Sequence, residues 1–155
     1  MQRKKMMLAL FLSVFIIMPA IRCLCAETKT NEPIDISSKN FKYFGIEREG
    51  LFTGSVRVVQ GNLVLTADKL RAKYDDRMKD TKEFMAMGRV RIVKDDLIAV
   101  SEEAVFFNEE QKIILTGKPV VSSMESNFSG EKITVYLKEN RFIVERNVKG
   151  VVIPK

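Results

Sequence analysis

Gly54-Ser55-Val56-Arg57-Val58-Val59-Gln60-Gly61-Asn62-Leu63-Val64-Leu65-Thr66-Ala67-Asp68-Lys69-Leu70 is the stretch that decides the fold of this 155-residue chain. Val56-x-Val58 and Leu63-x-Leu65-x-Ala67 alternate apolar with polar residues, and Gln60-Gly61-Asn62 separates them. A period of two puts one set of side chains on one face of a strand, and a Gly-Asn step favours a turn. The same alternation continues outward in Leu70-x-Ala72-x-Tyr74, Phe84-x-Ala86-x-Gly88-x-Val90-x-Ile92, Ile113-x-Leu115, Ile133-x-Val135-x-Leu137 and Phe142-x-Val144. Lys94-Asp95-Asp96, Asn108-Glu109-Glu110-Gln111 and Lys138-Glu139-Asn140-Arg141 supply the turns between these runs. Short strands at such regular spacing predict an all-β meander, sandwich or barrel. Asp75 to Glu83, the longest charged stretch, reads as a solvated loop or hairpin tip, or as a short helical turn.

Working outward from Gly54 also exposes a repeat. Counted from Gly54, Gly88 and Gly117, position four holds Val58, Ile92 or Val121, and position thirteen is small, as Ala67, Ser101 or Gly130. Position fourteen is acidic, as Asp68, Glu102 or Glu131, and position sixteen is apolar, as Leu70, Ala104 or Ile133. The glycines lie 34 and 29 residues apart; Gly150 would open a fourth unit, and Ser38-Lys39-Asn40-Phe41 mimics the end of an earlier one. Periods of this length indicate stacked supersecondary units that share one core, here expected to hold about three strands each. The recurrent glycine suits a bend or bulge. The acid at position fourteen reads as a solvent-facing turn or edge charge rather than a catalytic group.

The N-terminus belongs to a different kind of segment. Arg3, Lys4 and Lys5 precede an apolar run from Met6 to Ile21 that is broken only by Ser13 and Pro19, and Cys23-Leu24-Cys25-Ala26 follows. A run of sixteen residues is short for a span, which needs roughly 20; the pattern is that of an export signal cleaved near Cys25 or Ala26. Arg22 before Cys23 and Leu24 before Cys25 do not suit lipidation. The expected organisation is a signal peptide over 1–26, a disordered lead-in over 27–33 and one β-domain over 34–155. Losing Arg3, Lys4, Lys5 and Arg22, with no acid among residues 1–26, takes the formal charge from +6 to +2 and weakens any case for nucleic acid. A mature chain without Cys or His also excludes disulfides, Cys or His metal sites and imidazole-paired nucleophiles, and no cofactor is expected.

Three segments in register now identify a resemblance. Gly54 to Gly61 followed by Leu65 to Leu70, Gly88-Arg89-Val90-Arg91-Ile92 followed by Val100 to Ala104, and Leu115 to Val120 followed by Gly130-Glu131-Lys132-Ile133 resemble the LptA/OstA-like family over roughly Ile34 to Val144. The resemblance implies a twisted, partly open antiparallel β-jellyroll, not an enzyme, located in the periplasm. It implies lipopolysaccharide as the ligand, its acyl chains held in an apolar groove. It further implies head-to-tail self-association and edge-strand addition to LptC-like and LptD-like partners, bridging the inner and outer membranes.

Each acyl methylene moved from water to such a groove contributes about 0.8 kcal/mol, so the groove rather than surface charge should hold the lipid. Strand phase nominates Val56, Val58, Leu65, Leu70, Val90, Ile92, Ala99, Phe106, Leu115, Phe128, Ile133, Val135 and Phe142 as its lining. Arg57, Arg89 and Arg91 are candidates for a phosphate-binding rim.

Three other readings compete. An LptC-like component of the same pathway would keep residues 1–26 as a membrane anchor. A generic periplasmic β module would bind proteins through its edges and not lipid. A carboxylate hydrolase would need two converging acids, whereas Asp75-Asp76, Glu102-Glu103 and Glu109-Glu110 are adjacent pairs, and neighbours on a strand face opposite ways.

Overall fold

The computed structural model describes residues 32–75, 81–123 and 126–152, so the leader expected at 1–26 and the lead-in before Glu32 lie outside the described residues. Where the alternation runs, strands form: β1 (Asp35–Ser37), β2 (Asn40–Phe44), β3 (Glu49–Gln60), β4 (Leu63–Tyr74), β5 (Thr81–Lys94) and β6 (Leu97–Phe107). After these come β7 (Lys112–Thr116), β8 (Val120–Ser123), β9 (Ser126–Ser129), β10 (Lys132–Tyr136), β11 (Arg141–Glu145) and β12 (Lys149–Val152). All twelve belong to one antiparallel sheet. The charged stretch Asp75 to Glu83 connects β4 to β5 and contributes Thr81–Glu83 to β5, while 76–80 lie outside the described residues.

Register resolves the twelve strands into eight longer paths. β3, β4, β5 and β6 are continuous, whereas β1 with β2, β7 with β8, β9 with β10, and β11 with β12 are each one path broken at a corner. Each path pairs only with the paths before and after it in sequence. The result is an up-and-down meander folded along one seam. In front of the seam lie β1, Val56–Gln60, Leu63–Ala67, Val90–Lys94, Leu97–Ser101, β8, β9 and β12. Behind it lie β2, Glu49–Thr53, Lys69–Tyr74, Thr81–Met87, Glu103–Phe107, β7, β10 and β11.

The two half-sheets pack face to face. Val58 and Leu65 of the front half meet Leu70, Phe84, Phe106 and Ile113 of the back half across a single core. Leu70, Leu115, Val121 and Ile133 are wholly shielded from solvent. Burying a side chain of that size stabilises the fold by about 1.5–3 kcal/mol, so the interior is what holds the halves together.

The seam explains the repeat. On alternate paths a two-residue bulge sits at the seam with both residues in the left-handed region: Gly54-Ser55, Gly88-Arg89, Gly117-Lys118 and Arg146-Asn147. Opposite each bulge the preceding path turns its corner at Lys39, Asp68, Glu102 or Glu131. The main chain is bonded there, as in Lys39 N donating to Gly54 O at 2.9 Å and Glu102 N to Gly117 O at 3.0 Å. Glycine is needed where the corner side chain crowds the bulge. A Cβ on Gly88 would lie 2.6 Å from Asp68 Oδ2, and one on Gly117 would lie 2.5 Å from Glu102 Cβ.

Two expectations change. Each period holds two paths, a bulge path and a corner path, rather than three strands, because the strands cross the seam and are counted on both sides of it. The fourth bulge is Arg146-Asn147, 29 residues after Gly117 as Gly117 is after Gly88, and not Gly150. Gly150 lies within β12 opposite Phe128, where its missing Cβ makes room for that ring.

Candidate functional site

The thirteen residues nominated for a groove all lie on the inward face. Val56, Val58, Leu65, Val90, Ile92 and Ala99 are buried on the front half, and Leu70, Phe106, Leu115, Ile133 and Val135 are buried on the back half. Phe128 and Phe142 are half-buried and touch each other across the two halves, ring centroids 5.5 Å apart, next to the C-terminal edge. The space left between Val58, Leu65, Leu70 and Phe106 is about 20 Å³, room for one water-sized group. Around these residues the interior is filled by its own side chains, and an acyl chain could lie there only if the half-sheets moved apart.

Among the described residues both margins of the sheet are unpaired. β1 and β2 bond only to β3, while β11 and β12 bond only to β10 and β9. The margins also expose apolar surface: Phe41 is 53% exposed, Ile46 95%, Val151 61% and Val152 63%. Phe41 stands opposite Phe52, which stands opposite the buried Leu70, so Phe41 continues the inward row to the open edge. Tyr43 does the same through Gly50 and Ala72. Phe41 contacts Phe52 at 4.6 Å between centroids, and Tyr43 meets Tyr74 edge-on at 6.4 Å. These four aromatics frame one mouth of the interior as Phe128 and Phe142 frame the other. The alternation signal could have found Phe41 and Tyr43, but nothing in it says which strand will be last.

The three arginines separate into two environments. Arg57 and Arg91 project from the outer face of the front half, exposed and opposite Thr66 on either side. Arg89 sits in the Gly88 bulge, with Nε 3.1 Å from each carboxylate oxygen of Asp68 and a further guanidinium contact to the same group. That hydrogen bond holds the Asp68 carboxyl below its ordinary pKa. The other corner acids also face their bulges: Glu102 lies 3.6 Å from Lys118, and Glu131 lies 3.9 Å from Arg146 and accepts a hydrogen bond from Asn147. The acid at position fourteen is therefore solvent-facing, as expected, and is also the partner of the residue in or beside the next bulge. Of the adjacent carboxylate pairs, Glu102 is engaged with Lys118 and Glu110 with Lys112.

A meander folded along a bulged seam, filled in its middle and unpaired at both margins, defines an open β-jellyroll. Residues 35–141 match the model of the LptA/(LptD N-terminal domain) LPS transport protein family. The chain belongs to that family. Among solved structures it is similar to LptH of Pseudomonas aeruginosa, described as the LptA-homologous periplasmic component of the lipopolysaccharide transport device. The TM-score is 0.74 at 17% identity, over 81% of this chain and 99% of that one, a likeness of fold. No curated protein matches the chain.

Proposed function

We propose that the chain is a periplasmic carrier of lipopolysaccharide that joins end to end with further jellyroll modules, bridging the inner and outer membranes. The modules would be copies of itself and LptC-like and LptD-like partners. Membership of the family supports the cargo, and the inward face continuing to an open mouth at each edge supports the path. An acyl chain lying between the halves would take over contacts now made by Val58, Leu65, Leu70 and Phe106.

The observation that carries end-to-end joining is the phase of the seam. In each hairpin of a bulge path and the corner path after it, the residue before the bulge faces the residue after the corner, as in Thr53 with Lys69, Met87 with Glu103 and Thr116 with Lys132. The first path is a corner path at Lys39 and the last is a bulge path at Arg146, so a second copy added at the C-terminal edge continues the alternation. Eight paths also leave the first and last antiparallel, as a ladder between copies requires. Continuing the rule sets Glu145 opposite Asn40 of the next copy, with Val144 and Phe142 opposite its Phe41 and Tyr43. Unpaired edges of this kind invite strand addition.

A double Asn40→Cys, Glu145→Cys variant treated with a short thiol crosslinker should give a ladder of oligomers. The out-of-register pair Asn40→Cys, Val144→Cys should give far less. Equal ladders, or a monomer at all concentrations in light scattering, would remove the joining proposal. A photo-crosslinker at Val90 or Phe128 should capture lipid A species during export, and capture of protein alone would favour a generic binding module. Mass spectrometry of the purified chain reads its N-terminus: a start near Ala26 fits the carrier, whereas membrane-bound protein keeping residues 1–26 fits the anchored LptC-like alternative.

A further inference from the structure

The outer faces of the two half-sheets carry different chemistry. On the back half, the row Lys69, Met87, Glu103, Thr116, Lys132, Glu145 and the row Glu49, Lys73, Glu83, Phe107, Lys112, Tyr136, Arg141 mix both signs, on either side of a mostly apolar row that runs from Leu51 and Arg71 through Met85, Val105 and Ile114 to Ile143. Several of these charges are tied up, as in Lys132 with Glu145 at 2.7 Å and Arg71 with Glu49 at 3.5 Å. On the front half, register aligns Arg57, Thr66, Arg91 and Val100 in one row, and Val59, Val64, Val93 and Ile98 in the next. Residues two apart on a strand are about 7 Å apart, so a cationic row runs beside an aliphatic one across four paths. No carboxylate lies in the cationic row, which register extends to Ser37 at one margin and to Val120, Ser129 and Lys149 at the other; in the aliphatic row the one acid among the described residues is Asp35, opposite Val59 on β1. Arg57 and Arg91 have no ion-pair partner among the described residues, and Ile98 and Val100 are 37% and 40% exposed. Asp95, in the turn beyond, is already engaged by Asn62 and Lys94.

The geometry points to a docking surface for a lipid bilayer with anionic phosphate headgroups on this outer face, separate from the interior. Arg57 and Arg91 bind the phosphates, and the Val59, Val64, Val93, Ile98 row rests at the boundary between headgroups and acyl chains. Guanidinium groups match phosphate oxygens in a two-pronged geometry that ammonium groups lack. Beside Arg57 the seam forms a shallow concavity of about 350 Å³ lined by Ser55, Thr66, Asp68 and Arg89. The Ser55 hydroxyl can donate to a phosphate, whereas that of Thr66 donates to the Arg91 carbonyl; Asp68 occupies Arg89 and leaves Arg57 as the cation without an ion-pair partner among the described residues. Four paths about 4.8 Å apart make a strip of surface whose two rows present cation and hydrocarbon side by side, as a lipid interface does. A basic and aliphatic face of this kind gains both electrostatic and apolar attraction from an anionic interface.

The test is sedimentation of the exported protein, lacking residues 1–26, with vesicles of phosphatidylglycerol and phosphatidylcholine, against vesicles of phosphatidylcholine alone. Binding should require phosphatidylglycerol and should weaken with salt. Each basic residue at an anionic surface strengthens partitioning about fivefold, so Arg57→Gln with Arg91→Gln should weaken it roughly thirtyfold. Lys69→Gln with Lys73→Gln, an equal charge loss on the back half, should leave it within about twofold, and Ile98→Ser should weaken it moderately. Lipopolysaccharide capture by the Ile98→Ser variant, whose side chain lies outside both the groove and the arginine rim, should be unchanged, which separates this surface from the carrier reading. Absence of binding to phosphatidylglycerol vesicles, or equal losses in the two double variants, would overturn the proposal. So would abolition of binding by millimolar inorganic phosphate, which would mark a free-anion site, or retention only of an acidic protein.

Discussion

The four uninterrupted paths in the middle of the sheet and the paths at its margins follow one pattern but differ in what they can bury. In β3 to β6 an inward side chain has a paired neighbour on each side and the opposite half-sheet above it, and Leu70 is completely shielded. In β2 and β12 the same inward position has a neighbour on one side only, and Phe41 and Val152 stay more than half exposed. Burial here is a property of position in the sheet and not of residue type. Stability should therefore reside in the middle, and association at the margins.

The largest effect that could break this contrast is a cavity in the middle. Leu70→Ala should cost about 2–5 kcal/mol, lowering the thermal midpoint by about 10–20 °C for a domain of this size. Val152→Ser, at an inward position of the margin, should cost no more than about 0.5 kcal/mol. Urea and thermal unfolding of the two variants measure the difference, and comparable losses would show that the margins belong to the cooperative core.

A smaller effect sharpens the comparison at the seam. Gly117 has φ +75° and its absent Cβ would meet the Glu102 side chain, so Gly117→Ala combines backbone strain with a steric clash. A cost of about 1–3 kcal/mol is expected. Gly45, in the turn after β2, has only an ordinary van der Waals neighbour at 3.8 Å, and Gly45→Ala should change unfolding by less than about 1 kcal/mol. If the two substitutions prove equal, the bulge at Gly117 is not a constrained corner.

The seam also shows how far the residues themselves could be read. On bulge paths four residues separate inward positions across the seam, as from Phe52 to Val56 and from Ala86 to Val90, so alternation keeps its phase and the inward face is legible throughout. On corner paths the step is three, from Ala67 to Leu70. That step is the reason position thirteen is small and position sixteen apolar, a spacing visible in the sequence whose cause is the corner. Gly150 misled because it shares the residue type of the bulges without their register, while Arg146 fills the bulge geometry with no glycine to mark it. The open mouths were not legible from alternation, because Phe41 and Leu70 follow the same rule and only the order of paths leaves one of them at an edge. The filled interior was also hidden, since an alternating face looks the same whether it meets lipid or the opposite half-sheet.

The smallest effect concerns the ion pairs that punctuate the seam, and its sign follows from Asp68. Its folded pKa lies below the ordinary value of 3.8, chiefly through the hydrogen bond from Arg89. A depressed carboxyl pKa means that its contribution is present above the unfolded value and is lost as pH falls through the folded one. The difference in urea midpoint between the wild type and Arg89→Gln should therefore be measurable near pH 6 and should vanish under strongly acidic conditions. It should be small, because both groups are solvated and exposed pairs contribute little. Glu131 and Arg146, whose nearest approach is 3.9 Å beside the open margin, should give a still smaller difference in the Arg146→Gln variant. A larger effect at Arg146 than at Arg89 would mean that the marginal bulge, despite its exposure, is held as firmly as the central one, and the division between a rigid middle and adaptable edges would fail at the last bulge of the seam.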